Sequence, residues 1–538
     1  MCFWNLLFLV HSEVVRVEDF TSDRYFSNIP NYAELTQYNG RSCLKVQWTD
    51  ESTKLYTHGA SYNFTADHFA KRTLIVTAWI ASENVSPPKD SWNGVKLMYS
   101  YKKNNQTVYP GQSTIISGTH PWTEVTYKVT TYAMDNVSAG NMFLGLQDST
   151  GTVYFSNMTF EVVKTIEPEF LSTIDYQCEY TQRVLSRSRA RGAMSPTKFK
   201  EEDFEDFKSW NGNIFRWQLT SYEGDYNNLT QYNEWINYKL DELELVFQKA
   251  EELKIWIVID MHQSPGGRSG GNIMYENETF HNLYIEIWKT IATRFKDCKM
   301  LWAYDLINEP SHNSNAFIDY LQSQYQVAKI IREIDPYTPI IIEFNFQSDA
   351  YRYIYYALPL KDIFYSIHIY IPHKFTHQGV LESCPNNSGS YPGSFDGTYY
   401  NKSAIENYYK TLIDFQKAHN AKIFMGEFSA ILWAKGAEDY IEDVIKIAEE
   451  RNWDWTYHAF REWNGWSVEH EWINGPRVET TKRKEILLKY FKNNLNATEP
   501  WIEPDKTGTI IGLVVTVLVI VVIAVVIIVA LVKRRSKK

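Results

Sequence analysis

Two glutamates close apolar runs: Glu309 in MLWAYDLINEP (300–310) and Glu427 in AKIFMGEFSA (421–430). A run that stops on an amide, a carboxylate and a proline is either an ordinary strand exit or a place where a proton must be handed over. Other apolar runs carry polar groups at or near their ends: Arg216 in NIFRWQL, His262 closing KIWIVIDMH, and His368 and Tyr370 in DIFYSIHIY. His368 and Tyr370 are two residues apart, which puts them on one face of a strand. Two carboxyl groups held together suit glycoside hydrolysis. One stays protonated to donate to the leaving oxygen, and the other stays ionised to attack the anomeric carbon; retaining chemistry holds them about 5–5.5 Å apart. Asn308 would then hydrogen-bond a sugar 2-hydroxyl, Arg216 would keep Glu427 ionised, and Tyr370 would orient it. Taken singly, each residue has an ordinary structural reading: a rim salt bridge, a satisfied core histidine, a turn, a polar interior layer. Convergence on one rim makes them a candidate site.

That convergence needs a scaffold. After about residue 168, apolar strands alternate with amphipathic helical stretches, and eight strands can be counted: 189–196, 213–219, 254–262, 300–310, 339–344, 362–370, 421–430 and 453–463. Repeated strand–helix alternation implies parallel pairing, and eight units predict a (β/α)8 TIM barrel with its active groups at the carboxyl ends of the strands. Residues 17–164 read differently, as short alternating strands separated by Asn-Gly, Ser-Gly and Ser-Thr-Gly turns, which predicts an all-β sandwich or jelly roll. The expected fold class is therefore α/β, with a barrel at 168–498 preceded by an all-β domain at 17–164.

Residues 509–532 are apolar and uncharged, long enough for a transmembrane helix, and the basic tail 533–538 follows directly. With 499–508 as a polar linker, the chain is expected to be a single-pass type I membrane protein with its catalytic domain extracellular or lumenal. Residues 1–16 open with an apolar stretch and read as a possible signal segment. Ten Asn-x-Ser/Thr sequons fit a glycoprotein. Cys43, Cys178, Cys298 and Cys384 allow three pairings, and no Cys-x-x-Cys pair supports a zinc ribbon. Net charge is −10 although KRRSKK at the end contributes +5, a balance that argues against nucleic acid as a partner. Aromatics are abundant, with 18 Trp, 37 Tyr and 28 Phe, and flat apolar rings suit sugar stacking as well as β-rich cores.

Over residues 185–480 the chain resembles glycoside hydrolase family 5, on Arg216 in IFRWQL, His262 in VIDMHQSPGG, Asn308 and Glu309 in LINEP, His368 and Tyr370 in SIHIY, and Glu427 in FMGEF. The resemblance implies Glu309 as acid/base, Glu427 as nucleophile, net retention, and no metal or organic cofactor. It also implies a tryptophan on strand eight under the sugar. In WDWTYHAFREWNGWSVE that position holds His458, and Trp463 is taken as the floor, with Trp466 nearby. The amino-terminal domain resembles carbohydrate-binding modules in its strand pattern and in GLQDSTGTVYFSNMTFEV, with Trp92 or Trp122 available to stack on a glycan. The expected activity is endoglucanase- or cellulase-like hydrolysis of a β-linked polysaccharide. β-Mannanase, exo-β-glucanase, transglycosylase and a non-catalytic glycan-binding surface protein are the alternatives. Loops 263–276 and 373–402 are expected to wall the cleft and carry specificity.

Overall fold

The structure is a computed structural model that describes residues 12–498 apart from short internal stretches, the longest being 65–71 and 349–355. The amino-terminal region folds as two antiparallel sheets. In the first, Gly151–Lys164 is flanked by Arg41–Trp48 and Arg72–Val85 and also pairs with Ser12–Glu18. In the second, Val137–Gln147 lies between Thr57–Tyr62 and Gly94–Lys103. Leu74, Val76, Ala78 and Ile80 alternate inward from one sheet, Val95, Leu97 and Tyr99 from the other, and all belong to one buried core. Side chains of period two on facing sheets make a sandwich.

Ser12–Glu18 pairs with Gly151–Lys164 across a register shift at Val14/Arg16, so this strand overlaps the segment expected at 1–16. Its alternation is weak, with Val14 and Val17 exposed, so it reads in the sequence as a continuation of the apolar opening. Residues 1–11, the linker 499–508, the proposed membrane helix 509–532 and the tail 533–538 lie outside the described residues. Among the described residues no helix is long and apolar enough to cross a membrane.

The second region is the barrel, whose single hydrophobic core runs from Phe170 to Ala497. Its strands are β1 (Arg191–Met194), β2 (Ile214–Gln218), β3 (Trp256–Asp260), β4 (Leu301–Asp305), β5 (Ile340–Glu343), β6 (Ile363–Ile369), β7 (Lys422–Phe428) and β8 (Asp454–Tyr457). Every neighbouring pair is parallel, and β1 pairs with β8 to close the ring. All residues of β2 to β6 are buried, which is why these strands read as unbroken apolar runs.

Asn228, Asn277 and Asn401, three of the sequon asparagines, are helix N-caps that accept the backbone N–H of Gln231, Thr279 and Ala404. The long loop after β6 is structured: it holds the hairpin Gly393–Phe395/Thr398–Tyr400, and Phe375, Tyr391 and Phe395 pack together. Cys43, Cys178, Cys298 and Cys384 are all unpaired thiols, so none of the three possible pairings is formed.

Candidate active site

The barrel mouth is organised around one arginine. Arg216 sits in the middle of β2 and is fully buried. A buried guanidinium is costly unless its donors are met by acids or amides. Its Nε donates to Asp305 Oδ2 at 2.7 Å, Nη1 to Glu427 Oε1 at 2.8 Å, and Nη2 to Asn308 Oδ1 at 3.0 Å and Glu343 Oε1 at 2.8 Å. Asp260 Oδ1 stands 3.1 Å from Nη2. Asp260, Asp305 and Glu343 close β3, β4 and β5, and sequence reasoning missed all three as site residues. The signal was present: WIVID, LWAYD and IIIE are apolar strands that each end on an acid, and a buried carboxylate requires a buried partner.

Glu309 follows β4 in a turn. Its φ is +47°, a left-handed conformation that costs a non-glycine residue about 1–2 kcal/mol. Glu343 holds it there, accepting the Glu309 backbone N–H at 2.6 Å while also accepting the Ser348 hydroxyl. LINEP is thus a strand exit, and one bent to present a carboxylate. That carboxylate meets His368, whose Nδ1 is 2.8 Å from Glu309 Oε1 and whose Nε2 is 3.2 Å from Glu343 Oε1.

His368 reaches this position by two local devices. A register shift between Ile367 and His368 sets His368 opposite Glu427 on β7. Gly426 leaves the necessary room, since a Cβ there would lie 2.7 Å from Ser366 Oγ and 3.1 Å from His368 Nε2.

Glu427 is nearly enclosed, its side chain only 5% exposed, whereas that of Glu309 is 20% exposed. Tyr370 donates its hydroxyl hydrogen to Glu427 Oε2 at 2.9 Å. The same hydroxyl lies 2.6 Å from His458 Nδ1, and His458 Nε2 is 3.1 Å from Glu462 Oε2. Gln218 in turn donates to Glu462. His458 therefore stands in the place expected for tryptophan and forms part of a polar chain from Glu427 to Glu462.

The charges are coherent. Burial alone raises Glu427, but the positive charges of His368, His458, Arg216 and His262 overcome it and hold the carboxyl far below the usual carboxylate range. Burial likewise pulls His368 down, and Glu427 and Glu343 more than reverse that, keeping it protonated. His262 is pulled down by burial yet pushed up to about 9 by Asp260, whose Oδ2 lies 2.8 Å from Nδ1.

The His262 shift has a measurable consequence. Its folded pKa lies above the unfolded value of about 6.5, so its contribution is complete below pH 6.5 and is lost as pH rises toward 9. We expect wild-type stability to fall by on the order of 2 kcal/mol across that window, and the fall to shrink in His262→Gln. Thermal unfolding of both proteins at pH 6 and pH 9 checks this; equal slopes would contradict it.

The structure brings Arg216, His262, Asn308, Glu309, His368, Tyr370 and Glu427 to one barrel mouth. Trp463 lies further out, 43% exposed, with its ring centroid 5.8 Å from Trp466 and 6.4 Å from Trp433. Trp466 is the tryptophan beside the polar chain, 5.5 Å from the His458 ring and 6.4 Å from Tyr370. Glu309, His368 and Glu427 each offer a donor atom within 4.8 Å of the others, a spacing a cation could use. The donor chemistry fits poorly: a metal needs neutral imidazole, whereas His368 is held protonated and Glu427 Oε1 is engaged by Arg216.

A closed parallel barrel with paired acids at its mouth serves many chemistries, and comparison with known proteins narrows them. Residues 179–464, just over half of the chain, match the family described as Cellulase (glycosyl hydrolase family 5), and the chain belongs to that family. It is a glycosidase, a cellulase-like hydrolase of glycosidic bonds. Endoglucanase C of Acetivibrio thermocellus is 26% identical over 245 residues, covering 40% of this chain and 71% of that protein. Cellodextrinase A of Ruminococcus flavefaciens is 22% identical over 291 residues, covering 52% and 76%. Among solved structures, Thermotoga maritima Cel5A in complex with cellobiose is 20% identical with a TM-score of 0.44, covering 56% of this chain and 96% of that one.

Proposed function

We propose that this protein cleaves internal bonds of a β-glucan by double displacement, with Glu427 as nucleophile and Glu309 as acid/base. The observation that carries the proposal is the placement of the two carboxyls: an oxygen of each lies within 4.8 Å of an oxygen of the other, on the short side that retention uses. Their environments divide the roles. Glu427, ionised and aimed by Arg216 and Tyr370, attacks the anomeric carbon. As that bond forms, the bond to the leaving oxygen breaks and Glu309 gives that oxygen its proton. Glu309 then takes a proton from water, the water oxygen attacks the same carbon, and Glu427 departs as carboxylate. Two inversions give net retention.

Asn308 accepts from Arg216 at Oδ1, which leaves its Nδ2 as the donor for the sugar 2-hydroxyl. His262 and His368 line the same subsite, and Trp463 supplies an apolar surface further along the cleft. The endoglucanase and cellodextrinase relatives favour a β-glucan over a mannan. Hydrolysis of soluble β-glucan, mannan, xylan and xyloglucan, with Glu309→Gln and Glu427→Gln alongside, tests the reading. Activity on glucan lost in both variants is expected; full activity in either variant would end that residue's assignment.

We further place the barrel outside or lumenal to a membrane spanned by 509–532, on the apolar run and the basic residues after it. Retention of the full chain in the membrane pellet after alkaline carbonate washing is expected; release into the supernatant would refute the anchor.

A further inference from the structure

We propose that the amino-terminal sandwich carries a second glycan-binding site, a hollow on the outer face of its second sheet rimmed by Trp92 and Tyr109. Along Gly94–Lys103, Val95, Leu97 and Tyr99 point into the core, so Lys96 and Met98 point outward. The register sets Lys96 opposite Gly145, and Gly145 opposite Gly59. Neither glycine opens the hollow, since a Cβ on Gly59 would lie 2.5 Å from the Phe143 ring and one on Gly145 2.2 Å from the His58 carbonyl oxygen; the hollow lies over Lys96, Met98 and Gln147.

The hollow is a cavity of about 510 Å³, within the usual range for a small-molecule site, with Thr57, Asn93, Lys96 and Gln147 among its polar lining. Its rim carries two exposed rings, Trp92 at 61% and Tyr109 at 64% exposure. At its edge Asn93 is buried, and among the described residues its Oδ1 has no hydrogen-bond partner. The Lys96 ammonium donates to the Trp92 carbonyl and so ties down the turn that carries the indole.

A pyranose fits this chemistry, since it offers an apolar C–H face to the rings and a hydroxyl edge to Asn93, Gln147 and Thr57. A peptide strand would instead need an open sheet edge, whereas these groups stand on the sheet face. Trp122, the other candidate from the sequence, is committed elsewhere: its Nε1 donates to the Tyr38 carbonyl, its ring packs on Tyr38 and Tyr154, and Arg41 lies over it. The choice of a β-linked glycan as occupant rests on the function proposed for the barrel; the cavity and its rim do not.

The test is calorimetric titration of the full chain carrying Glu427→Gln, which keeps the ligand intact, with cellohexaose, mannohexaose, xylohexaose and laminarihexaose. At least one sugar should bind at two sites per chain, falling to one in Trp92→Ala and remaining two in Trp92→Phe. With the barrel intact, Trp92→Ala should hydrolyse a short aryl β-cellobioside at the wild-type rate. Stoichiometry unaffected by Trp92→Ala for all four sugars would overturn the proposal, whatever the barrel does. Trp92-dependent binding in a protein that hydrolyses nothing would uphold it and sink the barrel's assigned activity instead.

Discussion

Glu427→Ala should lose about ten-thousand-fold or more in kcat on an unactivated β-glucan while remaining folded. The fold survives because Arg216 keeps Asp260, Asp305 and Glu343 as partners, so no guanidinium is orphaned. The chemistry does not survive, because the missing carboxylate is the one held ionised by four positive neighbours and aimed by Tyr370. The deletion also leaves a gap beside Arg216 sized for a small anion. Azide entering it should restore turnover of a 2,4-dinitrophenyl β-glycoside, whose leaving group needs no proton. A single displacement from the position of Glu427 inverts, so the product should be the α-glycosyl azide. Glu309→Ala should behave oppositely: the covalent intermediate still forms, azide attacks it from the other side, and the β-azide results. Exchanged anomers between the two variants would reverse the assignment.

Arg216→Met should destabilise the barrel by about 3–5 kcal/mol, since removing one partner of a buried ion cluster leaves the others uncompensated. Asp260, Asp305, Glu343 and Glu427 would then face one another with their central cation gone. The sign of the pH dependence makes this specific. In the wild type Glu343 and Glu427 are held low against their burial, chiefly by His368 and Arg216, so their contribution is present above an unfolded pKa of about 4.3 and is lost as pH falls below it. Without Arg216 the crowded acids bind protons more tightly when folded than when unfolded, and stability should rise as pH falls from 6.5 to 5. Thermal unfolding across that interval should therefore show a variant that recovers on acidification more steeply than the wild type, in which burial already pushes the Asp305 carboxyl up. A variant with the wild-type profile would mean that Arg216 does not hold the cluster together.

Much of this architecture could be read from the chain because burial on both faces writes itself into composition. IFRWQ, WIVID and IIIE are too apolar to be anything but interior strands, and their alternation with helices leaves few topologies open. The same uniformity concealed the acids at the strand ends. Asp260, Asp305 and Glu343 resemble turn residues until β2 to β5 are closed into a ring and all three prove to face Arg216. The register shift that sets His368 opposite Glu427 is a property of pairing, invisible in either strand alone. Ser12–Glu18 was missed for the reverse reason, as its alternation is too weak to separate it from the apolar stretch before it. His458 was noticed only as a missing tryptophan; its role as the link between Tyr370 and Glu462 depends on four side chains from three segments meeting in space.

The most direct measurement is the anomeric configuration of the first product. Cleavage of a soluble cello-oligosaccharide followed by proton NMR, read before mutarotation, should show the β-anomer accumulating first. An oxygen of each carboxyl within 4.8 Å of the other fits the short spacing of double displacement and so favours that outcome. Initial appearance of the α-anomer would contradict the double displacement and the pairing of Glu309 with Glu427 on which it stands.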